Sequence, residues 1–202
     1  MYKLLFQPIL LIILPVLISA ILINMSEFQS DDLDLILVQV SFFIAIYLLK
    51  IDCIFQQAKP LTVRQFHLTV SSFGIIFLID KILFYSFGNF SDGSEDPIEN
   101  TKLILFVYLV VLAPIAEEVI FRGCIYANFK KRNFQLLGRV VSSMLWTLIH
   151  FSSSYFFHYY LAIFISGLIL SYLYDKNNGL SIVIVVHALS NLGYFFTLVL
   201  DS

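Results

Sequence analysis

The chain has 202 residues, 59% of them hydrophobic and only 13% charged, with a net charge of −2 and a mean hydropathy of +0.89. Apolar runs follow one another from end to end, which excludes an ordinary soluble globule and marks an all-α, polytopic transmembrane helical bundle. The connections are too short to fold alone, so the length belongs to one membrane domain, and the charge balance gives no sign of a nucleic-acid partner.

Seven apolar runs are predicted as spans, over residues 4–25, 34–50, 66–87, 101–129, 136–153, 156–175 and 180–200. The first follows Lys3 and looks like a secretory leader, but it is longer than a leader's apolar region and lacks a small-residue cleavage site, so a retained helix is expected. Residues 51–65, IDCIFQQAKPLTVRQ, are too polar to span and are expected along the inner interface. Asp80 and Lys81 read as a lysine reaching the headgroups beside a neighbouring acid. The stretch 88–100, GNFSDGSEDPIEN, is a solvated outer loop. Cys53 and Cys124 are lone thiols without disulfide or metal spacing.

Charge orients the bundle. With the N-terminus in the cytoplasm, inner segments hold Lys3, Lys50, Lys59, Arg64, Lys130, Lys131, Arg132, Arg139 and Lys176, while Glu27, Asp31, Asp32, Asp34, Asp92, Glu95, Asp96 and Glu99 fall outside. That separation follows the rule that cations stay inside. Residues 1–100 then supply the N-terminal helices of the single membrane domain, and 101–202 its polar core.

An ionisable group in the hydrocarbon core costs about 2.5 to 3.5 kcal/mol on insertion scales, so each one needs a partner or a task. Outside the loops the deep set is Glu117, Glu118, Arg122, His150, His187 and Asn191. At a rise of about 1.5 Å per residue these positions overlap in depth on three separate helices. Glu118 and Arg122 are four apart and share a face, which predicts an internal ion pair; Glu117 is rotated by roughly 100° and is free for His150 or a water. His187 and Asn191 are also four apart and present an imidazole beside an amide. Two readings stand at this point. One is a buried polar network that locks helices together; the other is a catalytic site, for which two adjacent carboxylates supply a base and a group to hold it.

EEVIFR (117–122), WTLIH (146–150) and HALSN (187–191) resemble the EExxxR, FxxxH and HxxxN motifs of the CPBP (Abi) intramembrane proteases. That family groups CAAX prenyl endopeptidases with bacteriocin-processing and bacteriocin-immunity proteins. The resemblance covers roughly half of the chain, 101–200. It implies a membrane-associated peptide or protein substrate, a bacterial plasma-membrane location, and peptide hydrolysis with Glu117 as base, a water held by His150, and His187 with Asn191 as oxyanion donors. In the favoured mechanism no cofactor is required; the alternative is a zinc site built from Glu117, His150 and His187. Trp146 stands where the family usually has Phe, for which altered packing and no change in chemistry are expected.

Other intramembrane chemistries lack their signatures. No His is followed by Glu, as HExxH needs, and there is no GxGD to accompany Asp175. The letters GLSI at 179–182 match a rhomboid GxSx, but Gly179 and Ser181 lie at an inner turn where a helix start wants such residues. The rival from another class is a non-catalytic immunity or scaffold protein whose cluster only braces the bundle. A proton-linked transporter ranks below it, because no broken helices occur in paired halves.

Overall fold

The computed structural model describes residues 62–87, 102–151, 157–177 and 179–200, with isolated helical positions before them. Those isolated positions apart, the predicted spans 4–25 and 34–50, the cytoplasmic N-terminus, residues 51–61, the loop 88–100 and Cys53 lie outside the described residues. So do the side chains of Asp80 and Lys81. Among the described residues there is no strand, and the helices are α1 (Val63–Phe87), α2 (102–131), α3 (Gln135–Ile149), α4 (Phe157–Asn177) and α5 (Leu180–Leu200). Three stretches, Leu103–Lys131, Phe157–Asn177 and Leu180–Thr197, are long and apolar enough to cross a membrane, while Val63–Ile79 and Gln135–Ile149 are shorter apolar helices.

Local chemistry sets the boundaries. Thr62 caps α1: its hydroxyl accepts the Gln65 amide at 3.3 Å, and Gln65 Oε1 accepts the Thr62 amide at 2.8 Å. This reciprocal capping box starts the helix at Val63, inside the segment predicted as interfacial. The α2 helix ends in a Schellman turn. Asn133 takes φ 63°, its amide donates to Lys130 O, and the Phe134 amide donates to Phe129 O. The α5 helix begins directly after a bend at Gly179, with Ser181 inside its first turn.

Pro114 shapes α2. Proline has no amide hydrogen, so a carbonyl on the preceding turn loses its donor. The backbone before it, Val107–Leu112, is π-helical, and the Ala113 amide donates five residues back to Tyr108 O. In that register Leu109 O would need the amide that Pro114 lacks, and Asn191 Nδ2 of α5 supplies the bond at 2.8 Å. A proline inside a helix ordinarily kinks it, and the register change is how this helix accommodates Pro114. A short α-helical stretch, Ala113–Glu118, then carries both glutamates, and a second π-helical stretch, Val119–Tyr126, follows. Wide turns of this kind are uncommon and recur at functional sites. Ser142 Oγ of α3 donates to Phe121 O within the second one, at 2.8 Å.

The α3 helix spans about 22 Å at 1.5 Å per residue, and it stops four residues short of its predicted end. The His150 and Phe151 amides tighten onto Thr147 O and Leu148 O, so the His150 amide, the usual donor four residues on, does not serve Trp146 O. The His150 ring takes that carbonyl through Nδ1 at 2.9 Å, so the helix end itself orients the imidazole.

Small residues bring α3 and α4 together. Ser142 and Ser143 are fully buried, and a Cβ on Gly167 would lie 2.9 Å from Ser143 Cβ and 3.1 Å from the Trp146 ring. Close backbone approach through small residues is the usual adhesive between membrane helices. Gly167→Ala should therefore cost about 1–3 kcal/mol from overpacking, read as a lower midpoint of unfolding in detergent; an unchanged midpoint would show that the interface yields.

At the bundle end where α2, α3 and α4 meet, Asp175 gathers three donors. Lys130 Nζ lies 2.9 Å from Oδ1, Arg139 Nη2 lies 2.6 Å from Oδ2, and the Tyr126 hydroxyl donates to Oδ2 as well. Asp175→Asn should loosen this clamp by about 1–2 kcal/mol, less than for a deeply buried pair because the cations are part-exposed. Faster proteolysis at the 132–134 turn would register the loss, and an unaltered digestion rate would refute it.

Candidate active site

Glu117 and Glu118 close the short α-helical stretch between the two π-helical ones, with 7% and 0% of their surface exposed. Arg122 is also fully buried, and its Nη1 lies 2.7 Å from Glu118 Oε1, at the four-residue spacing that puts both groups on one face. The guanidinium donates again to Gly167 O at 3.2 Å and lies 4.6 Å over the Trp146 ring. The same Glu118 oxygen accepts His187 Nδ1 at 2.9 Å. A carboxylate accepts and never donates, so His187 carries its hydrogen on Nδ1 and directs Nε2 elsewhere.

That other nitrogen points toward Glu117. His187 Nε2 and His150 Nε2 lie 3.9 and 4.0 Å from Glu117 Oε2. His150 Nδ1 must likewise donate, since its partner is the Trp146 carbonyl. Two imidazoles from α3 and α5, each fixed by an acceptor behind it, thus face one carboxylate on α2. Among the described residues every partner of Glu117 sits on Oε2, which leaves Oε1 open.

Of the residues singled out in the sequence, Glu117, Glu118, Arg122, His150 and His187 form one connected cluster. Asn191 stands on the same helix as His187, but its amide donates to Leu109 O, the carbonyl stranded by Pro114. One partner was absent from the sequence reading. Trp146 Nε1 donates to Glu117 Oε2 at 2.5 Å, so the indole that stands in for a phenyl ring brings a polar contact and not packing alone. Its position at the start of WTLIH, one helical turn before His150, was the available signal, because a buried tryptophan N–H generally finds an acceptor.

The donor chemistry of Glu117, His150 and His187 is of a kind metals accept, with each Nδ1 engaged from behind. Their placement does not gather them into a ligand set: among the described residues no group of three His, Cys, Asp or Glu side chains is arranged to hold an ion. The Glu117 oxygen nearest both imidazoles is already taken by the indole.

No curated protein and no solved structure matches the chain. A protein-family model does: the one described as type II CAAX prenyl endopeptidase Rce1-like matches residues 99–193, the stretch that holds every residue of this cluster. Over that segment the chain is similar to the Rce1-like type II CAAX prenyl endopeptidases, a likeness consistent with the CPBP proteases, and three of its described helices are long and apolar enough to cross a membrane.

Proposed function

We propose that the protein is a multi-pass intramembrane endopeptidase that hydrolyses a membrane-associated peptide or protein through a glutamate-activated water. The observation that carries this reading is the division between the two carboxylates. Glu118 is occupied by Arg122 and His187, whereas Glu117 keeps an open oxygen beside two oriented imidazoles.

In the proposed reaction Glu117 Oε1 takes a proton from the water as its oxygen attacks the scissile carbonyl, and His150 Nε2 helps to hold that water. His187 in its protonated form offers Nε2–H to the tetrahedral oxyanion, with Glu118 behind it to balance the imidazolium. Asn191 contributes its remaining amide hydrogen, the first being used on Leu109 O. Glu117 then returns the proton to the leaving amine as the C–N bond breaks. In this proposal the side chains and the water carry every step.

The likeness to the type II CAAX prenyl endopeptidases supports a CAAX-type prenylated C-terminus as the proposed substrate class, with bacteriocin or other peptide processing as the alternative. The proposed setting is a bacterial plasma membrane with the basic end of the bundle, at Lys130, Arg139 and Lys176, in the cytoplasm. Comparing membrane peptides from cells carrying the intact chain or Glu117→Gln tests the reading. Peptides that change only with the intact chain support it, and identical peptide sets from equally abundant proteins refute it.

A further inference from the structure

Trp146 is the chain's only tryptophan, it is 5% exposed, and its indole contacts more of the cluster than any of the predicted site residues. The N–H donates to Glu117 Oε2 at 2.5 Å, and the Arg122 guanidinium covers the ring at 4.6 Å. His187 and His150 meet it edge to face, with centroids 5.2 and 5.5 Å away. On the α4 side Gly167 leaves so little room that a Cβ there would stand 3.1 Å from the ring. The indole is therefore wedged from several directions, and its one polar atom is aimed at the carboxylate.

We propose that Trp146 is a positioning residue for the base: its indole N–H pins Glu117 Oε2 and so turns Oε1 toward the water. The inference rests on the reading of Glu117 as the base. A glutamate on a helix has three rotatable side-chain bonds, and neither imidazole, at 3.9 and 4.0 Å, holds it at hydrogen-bond distance. Among the described residues only the indole does. A phenyl ring at this position would keep the cation–π and edge contacts with Arg122 and the histidines, yet it would leave the carboxylate free to rotate. This chain thus fixes with a side-chain donor what a Phe-bearing relative must fix by other means. Bringing a reacting group into one orientation accelerates catalysis without requiring tighter substrate binding.

Two measurements on the full chain in detergent test the assignment. The sole tryptophan reports its own N–H hydrogen bond in the ultraviolet resonance Raman spectrum, and Glu117→Gln should move that marker toward weaker bonding, with Glu117→Ala moving it further. A marker unchanged in both variants overturns the contact. In the second, Trp146→Phe is assayed with a farnesylated CAAX-type peptide. It should lose about 10- to 100-fold in kcat at unchanged KM, the range expected for a hydrogen bond to a charged group. A change in KM alone, or wild-type kinetics, overturns the positioning role. The two readings fail separately: full activity in Glu117→Gln removes the base itself, whereas an inactive Glu117→Gln with unaltered Trp146→Phe kinetics removes only the work assigned to the indole.

Discussion

Glu117→Gln should lower the rate of peptide cleavage by about 10²- to 10⁴-fold while leaving the folded protein intact, the usual contribution of a positioned general base. The two halves of this expectation have different causes. Gln keeps the shape of Glu and a carbonyl oxygen, so it can still accept the Trp146 N–H, and helix contacts around Ala116 and Ile120 are untouched. What it cannot do is take a proton from water. The same substitution at Glu118 predicts the opposite emphasis, because that carboxylate holds Arg122 and His187 and is buried completely. Glu118→Gln should therefore lose stability together with activity. Cleavage assays paired with detergent unfolding curves separate the two. An active, stable Glu117→Gln would end the glutamate mechanism, and loss of wild-type activity on chelation, restored by stoichiometric zinc, would replace it with the metal one.

This asymmetry was legible in the sequence because helical rotation is geometry: residues 118 and 122 lie on one face and 117 does not. The depth overlap of positions 117, 150 and 187 was likewise available from rise per residue. What the sequence could not supply was the register of α2. Counting along a regular α-helix assumes 3.6 residues per turn, and the two π-helical stretches around the glutamates break that count. The consequence reaches Asn191. Read from spacing, it belongs beside His187 in the site; in the fold its first obligation is to Leu109 O, a carbonyl left over only because Pro114 follows five residues later. The length of α3 was misjudged for a related reason. Hydropathy continues past Ile149, but the helix ends where His150 folds back on the Trp146 carbonyl, a side-chain event that apolar periodicity does not register. Asp175 could be placed near a helix end, beside Lys176, from the sequence, whereas its partners Lys130, Arg139 and Tyr126 required the tertiary contacts among α2, α3 and α4.

Arg122→Met should destabilise the bundle by about 3–5 kcal/mol, the cost of leaving one member of a buried ion pair without the other. Met fills a similar volume, so the loss comes from charge and not from a cavity. Glu118 would keep His187 as its single partner, while its second oxygen, already without a hydrogen bond among the described residues, would stay buried. Gly167 O would lose its donor and the Trp146 ring its cation, so the α2–α3–α4 junction loosens at three points at once. The decisive comparison is the double variant Glu118→Gln with Arg122→Met. Removing both charges removes the uncompensated one, and a neutral pair in an apolar surround is often tolerated. The double variant should therefore unfold at higher denaturant than Arg122→Met alone, a coupling of about 0.5 to 3 kcal/mol for residues in direct contact. Strictly additive losses would mean that the two side chains stabilise the fold independently. Recovery of stability without recovery of cleavage would divide the pair's two tasks: the neutral variant can hold the helices, but only the charged one can stand behind the His187 imidazolium when negative charge develops on the substrate.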